Sequence, residues 1–191
     1  MASFLAILQL VRYARVRATF PTGMTIAGIP IAGLEFEAAS QRLVQVYMAP
    51  IELKYGDARI QVRPATLGFE LQINNMLAAA DKQRTNEPFW SGFWNFLWNR
   101  PMTTTAIPLQ ARFDEKRIQD YLENEISIRY DIPATPPTPI PGESGFYAGK
   151  TGTAMDYPIS FQRILDSLSS NSHRTVNLEV VETRPQKPSF E

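Results

Sequence analysis

Apolar positions along the chain alternate between two spacings, and each change of spacing marks an element. From Phe20 to Gly33 the sequence reads FPTGMTIAGIPIAG, in which Met24, Ile26, Ile29 and Ile31 are separated by glycine and proline. That pattern predicts short strand pieces joined by tight turns. Leu34, Ala38, Leu43 and Val44 then recur near helical spacing, Glu35 and Glu37 suit a first helical turn, and Pro50 ends the helix. Ile51–Tyr55 and Ala58–Arg63 flank Gly56 and Asp57, which predicts a hairpin with Ile60 and Val62 alternating against Gln61 and Arg63. A short extended piece follows, and then a helix over roughly Asn74 to Arg84 with Asn74 as its N-cap.

The next stretch, Pro88 to Trp98, carries the aromatic run FWSGFWNFLW. On a helix, Phe89, Phe93, Phe96 and Leu97 share one side with Trp90, and Trp94 and Trp98 extend the arc beyond what a surface helix needs to bury. Thr103 to Phe113 is expected to form a strand, with Pro108 assigning it to a sheet edge. Asp114 should cap a helix running to about Tyr130. Five prolines between Pro133 and Gly142 read as an extended linker. Beyond it come two short strands, a helix over about Ser160 to Ser169, and a final half-buried strand from Thr175 to Thr183.

These elements predict an α+β fold of two related lobes, each of short mixed or antiparallel strands packed with helices. The first lobe would span 20–132 with the aromatic segment, the linker 133–142, the second lobe 143–184, and residues 185–191 would start an interdomain linker. An internal echo supports two related halves: TLGFELQINNMLAAA and TGTAMDYPISFQRILDSL each read as glycine, short strand, polar break and amphipathic helix.

Residues 1–19 stand apart. Ala2 to Val11 is apolar except for Ser3 and Gln9, and Arg12, Arg15 and Arg17 follow. Spanning a bilayer takes about 20 apolar residues, so this segment alone is too short. Two readings remain: the end of a truncated membrane anchor, or an N-terminal amphipathic helix packing on its own domain. Across the chain, 19 basic residues balance 19 acidic ones. That neutrality offers phosphate no long-range attraction and argues against nucleic acid as a partner. With no cysteine, zinc ribbons and thiol chemistry are excluded.

Several motifs touch on known chemistry. Lys150, Thr151 and Gly152 spell KTG, which in penicillin-binding proteins and class A β-lactamases lines a site built on a serine with a lysine three residues on. No serine of this chain has that lysine, and an S-D-N triplet is absent. A turn with Gly149 and Gly152 in unusual backbone angles is the preferred reading. His173, the one histidine, lies in the polar stretch SSNSHRT and reads as a solvated loop residue rather than a catalytic base. One histidine and no cysteine also argue against a transition-metal site. Asp114 with Glu115, and Glu123 with Glu125, are sequence neighbours on a surface helix, whereas glycosidases need carboxylates facing each other across a cleft. Gly149 and Lys150 would end a phosphate-binding loop only if a glycine stood at Ser144. The expectation is a non-enzyme with no cofactor and no metal. Trp90, Trp94, Trp98, Tyr147 and Lys150 are the candidate contacts for a glycan or partner, with core packing as the competing role for the aromatic run.

The segment GMTIAGIPIAGLEFEAASQRL resembles the opening of the YoaR-like peptidoglycan-binding domain, which accompanies VanW-type modules and some L,D-transpeptidases. That family carries a G-[IV]-x-[IV]-x-G-L stretch before an E-A-containing helix, matched here by Gly28, Ile29, Ile31, Gly33, Leu34, Glu37 and Ala38. IQVRPATLGFEL, ARFDEKRIQDYL and VNLEVVETRP extend the resemblance over roughly Thr22 to Pro185, and the aromatic run stands where the family has a short basic-glycine link. The resemblance implies an extracytoplasmic cell-envelope module, membrane-anchored if the N-terminal segment is an anchor, with peptidoglycan as partner. It also implies a further catalytic domain downstream in a longer chain. The alternative is a structural spacer or protein-interaction domain without glycan affinity. The family supplies no catalytic or ligand residues to transfer.

Overall fold

A computed structural model describes residues 2–100, 102–142 and 144–185, the side chains of Ala2 and Ser3 apart. Residues 186–191 of the expected linker lie outside the described residues, as do Met1 and Glu143 at the edges of the expected N-terminal segment and second lobe. In chain order, α1 (Ala2–Ala18) leads to a hairpin of β1 (Thr25–Ile26) and β2 (Ile29–Pro30), then α2 (Phe36–Tyr47). The hairpin β3 (Ile51–Tyr55) and β4 (Ala58–Val62) is followed by a 3₁₀ turn (Pro64–Leu67), β5 (Phe69–Leu71), α3 (Ile73–Thr85) and α4 (Phe89–Leu97). After β6 (Ala111–Phe113), α5 (Glu115–Tyr121) widens into a π-helical stretch (Leu122–Ser127) and closes with α6 (Ile128–Tyr130). The remainder comprises β7 (Thr138–Pro139), β8 (Phe146–Tyr147), β9 (Gly152–Met155), α7 (Tyr157–Ser169), β10 (Thr175–Asn177) and β11 (Val180–Thr183). Helices and small mixed or antiparallel sheets make this an α+β fold.

The chain forms two compact units, each built from two separate stretches: the described parts of 1–49 with 70–112, and of 50–69 with 113–191. This division differs from lobes drawn at 20–132 and 143–184. Its physical cause is strand pairing: β3 takes β10 as a parallel neighbour, in register Thr175 with Glu52 through Asn177 with Lys54, so 50–69 packs with the C-terminal part of the chain.

In the first unit, the β1–β2 turn is made by Ala27 and Gly28, both with positive φ (51° and 75°), as a two-residue primed turn demands. Ala27, strained there for lack of glycine's freedom, is held at both ends. Its N–H donates to the Ile107 carbonyl (2.7 Å), and its carbonyl accepts from the Tyr47 hydroxyl (2.8 Å). Met24, Ile26, Ile31, Leu43, Met76 and Leu77 are fully buried, so the inward positions of this hairpin, α2 and α3 form its core. Burying each such side chain contributes about 1.5–3 kcal/mol. Two expectations are corrected here. The strand expected from Thr103 exists only as the single bridge of Ile107 to Ile26 and as β6, because Pro108 removes a ladder donor. The N-cap of α3 is Gln72, not Asn74, because the helix already begins at Ile73.

In the second unit, the predicted hairpin forms in the expected register, Ile51 opposite Val62 to Tyr55 opposite Ala58. Gly56 takes positive φ (54°) at its turn. Asp114 caps α5 as expected, its carboxylate accepting from the Arg117 N–H. Asp156 does the same for α7 through Ile159. The expected final strand is divided. β10 joins β3 and β4, whereas β11 turns away to pair antiparallel with β9.

The proline-rich segment is not a free linker. Ile132 pairs with Thr153, Thr135 with Lys150, Thr138 with Tyr147 and Pro139 with Phe146, all antiparallel and in one continuous register. Prolines interrupt this ladder without shifting it, since they lack the N–H but keep an extended φ. Residues 132–139 are therefore one arm of a β-ribbon, closed by the Ile140 N–H donating to the Gly145 carbonyl (2.9 Å).

Candidate functional site

Helix α4 belongs to the first unit and packs on α1 through a phenylalanine face. Tyr13 of α1 is buried, with ring centroids 5.2 Å from Phe89, 5.6 Å from Phe93 and 5.5 Å from Phe96. The contacts with Phe89 and Phe93 are edge-on, which suits the aromatic quadrupole, and that with Phe96 is tilted. Gly92 allows the close approach, for a Cβ there would lie 2.1 Å from the Tyr13 hydroxyl.

The tryptophans follow a different face. Trp90, Trp94 and the C-cap residue Trp98 stand four residues apart, so they follow one side of the helix at steps of about 6 Å. They are 63%, 57% and 71% exposed. The aromatic run is therefore divided: phenylalanines make the packing face and tryptophans make a solvent-facing stripe. Polar groups border that stripe. Glu87 accepts hydrogen bonds from Ser91 Oγ (3.1 Å) and from the Asn95 side-chain amide (2.5 Å).

Glu87 and Asn95 also line a cleft of about 620 Å³ within the first unit, together with Tyr13, Arg17, Phe20, Arg84, Phe96, Asn99 and Arg100. Arg84 is clamped there. It pairs with Asp81 at 2.5 Å, lies over the Phe20 ring, and donates to the Arg17 carbonyl. Arg17 donates to the Glu87 carbonyl (3.2 Å) and stacks over Phe89. Concave, aromatic and polar, the cleft adjoins the tryptophan stripe through Glu87 and Asn95, although no tryptophan lines it.

Tyr147 and Lys150 lie in the second unit, so the candidate contacts do not form one set within a unit. Both are exposed on the β-ribbon, and an odd separation of three residues along an extended arm sends their side chains to opposite faces. Lys150 is fixed by its backbone, exchanging N–H···O bonds of 3.0 Å with Thr135 in both directions. The glycines beside it do not have unusual angles; neither has positive φ. They are required by close approach. A Cβ on Gly149 would lie 2.6 Å from the Thr135 carbonyl oxygen, and one on Gly152 would lie 2.2 Å from that of Ile132. The KTG triplet is thus a ribbon segment that needs two glycines.

The remaining polar candidates are engaged structurally. His173 is exposed, and its Nδ1 stands 3.3 Å from Ser170 Oγ, which itself accepts from the backbone N–H of Ser172 (3.2 Å) and of His173 (3.0 Å). Asp114 caps α5 and contacts Arg117 (3.3 Å), Glu125 pairs with Arg129 (2.6 Å), and Glu123 accepts from Gln119. Among the described residues there is no group of three His, Cys, Asp or Glu placed to hold a metal ion.

Sequence reasoning missed Asp131. Its carboxylate accepts from Tyr55 Oη (2.6 Å) and the Met155 N–H (3.2 Å) through Oδ1, and from Ser127 Oγ through Oδ2. Burial first, and then the Asp131 hydrogen bond, hold the Tyr55 phenol well above the usual tyrosine range. A lone aspartate before Ile132 and a proline run carries no pattern that would announce this joint between β3, the π-helical stretch and β9. No protein-family model, curated protein or solved structure matches the chain.

Proposed function

We propose that this chain is a YoaR-like, extracytoplasmic module of the cell envelope that binds peptidoglycan noncovalently and positions a neighbouring domain. The observation that carries the reading is the stripe of Trp90, Trp94 and Trp98, exposed to solvent while Phe89, Phe93 and Phe96 satisfy the packing of the same helix. Indole faces stack on the apolar faces of sugar rings, and a contiguous exposed aromatic surface marks a contact site. The Glu87–Ser91–Asn95 ladder supplies donors and acceptors beside it for hydroxyl and amide groups. A non-catalytic role accords with the engagement of Lys150, His173 and the paired carboxylates in ribbon, turn and helix contacts.

The test is cosedimentation of the chain with insoluble peptidoglycan. Saturable pelleting is expected, weakened about tenfold or more by Trp94→Ala if that ring contributes as a central contact residue. Pelleting no greater than that of a control protein would leave a structural spacer or protein-interaction domain as the function.

A further inference from the structure

Helix α1 has two unlike halves. Its C-terminal half is anchored by Tyr13, which is buried against α4. In the N-terminal half, Phe4, Leu5, Ile7, Leu8 and Val11 are between 45% and 70% exposed. These five cover a broad arc of the helix, and Phe4, Leu8 and Val11 lie on a single stripe. Arg15 continues that stripe, and Arg12 lies beside it. The helix contains no acidic residue. Its free surface therefore runs from apolar residues to a part that carries Arg12 and Arg15 with Val16 exposed beside them.

From this ordering we infer that α1 docks the first unit on a membrane surface containing anionic lipid. An apolar helix end fits an acyl layer, and arginines one to two turns further on fit the phosphate level of the headgroups. Residues 2–11 rise about 15 Å as a helix, against a hydrocarbon core of about 30 Å, and no helix among the described residues is long and apolar enough to cross a membrane. Arg12 and Arg15 also rim an open hollow of about 590 Å³, shared with Gln9, Leu97 and Asn99, where a headgroup phosphate has two cations and two side-chain amides to meet. Pairing with α1 of a second copy would cover the apolar residues but would bring no anion to the arginines, since that helix has no acidic residue. A lipid surface supplies both. The inference does not depend on glycan binding.

The experiment is flotation of the whole chain with phosphatidylcholine vesicles, with and without phosphatidylglycerol, over a salt series. Binding should be roughly thirtyfold stronger on the anionic vesicles, given two arginines at the surface, and should weaken with salt. Arg12→Gln with Arg15→Gln should abolish the preference for anionic lipid. Leu5→Gln with Leu8→Gln, both exposed and so without cost to the fold, should weaken binding about a hundredfold or more. Trp94→Ala should leave vesicle binding unchanged, which separates this result from the peptidoglycan assay. The inference is overturned by absence of flotation, by flotation that survives the leucine changes but is lost in Trp94→Ala, or by lipid-free self-association through α1 without vesicle affinity.

Discussion

Removing the Asp131 carboxylate should weaken the second unit more than any exposed charge change. Three donors converge on it, from Tyr55, Ser127 and Met155, and both Tyr55 and Met155 are buried. A hydrogen bond to a charged group contributes about 1.5–3 kcal/mol, and a buried donor left without an acceptor costs a similar amount. The carboxylate itself is half-buried, so water can replace part of what Ser127 loses. Asp131→Ala is therefore expected to cost about 2–4 kcal/mol, a fall in Tm of roughly 5–15 °C for a chain of this size. Tyr55→Phe keeps the ring against Tyr130 (centroids 5.7 Å apart) and removes one donor, so about 1 kcal/mol is expected. Urea unfolding followed by far-UV circular dichroism would measure each variant and the double variant. A coupling energy of about 1 kcal/mol between the two sites is predicted, since they share a direct bond. A cost below about 0.5 kcal/mol for Asp131→Ala, with the two changes strictly additive, would refute the view that this carboxylate joins the elements.

Two other tests bear on the second unit. Gly152→Ala forces a Cβ to within 2.2 Å of the Ile132 carbonyl oxygen and 2.4 Å of the Ala134 nitrogen, so the ribbon arm must shift. It should cost about 2–3 kcal/mol in urea unfolding, more than Gly142→Ala, where positive φ (83°) strains the backbone but open space surrounds the new methyl. The second test is pH. Tyr55 is held above its ordinary value of 10.0, chiefly by burial, so the folded state keeps a proton that the unfolded state releases. Its contribution is complete below pH 10 and is lost as pH rises beyond it. Alkaline unfolding should therefore be shallower in Tyr55→Phe, with a remaining slope from Tyr121, raised in the same direction by its own burial.

Local rules suffice for several elements. Alternation around Gly56 and Asp57 identifies the β3–β4 hairpin, and Asp114 identifies the start of α5. What local rules do not reach are choices made by distant partners. Thr175–Thr183 alternates like one strand, yet Val176 is claimed by β3 and Val181 by β9, so the strand divides. Prolines at 133, 136, 137 and 139 suggest a linker because composition reports missing donors, not the carbonyls and intervening residues that still pair. At the candidate site, helical spacing places all the aromatics of α4 on one wide arc. It does not say that Tyr13, some 80 residues earlier, takes the phenylalanines and leaves Trp90, Trp94 and Trp98 to solvent.

That partition makes glycan contact on this face directly measurable. The chain has three tryptophans, all in the stripe on α4, so intrinsic fluorescence reports on that face alone. Titration with soluble peptidoglycan fragments should shift the emission saturably and protect it from acrylamide quenching. The midpoint should match the pelleting affinity and move about tenfold in Trp94→Ala. An emission spectrum and quencher access that stay unchanged while the protein is bound to peptidoglycan would mean that the glycan is held by a surface other than the tryptophan stripe.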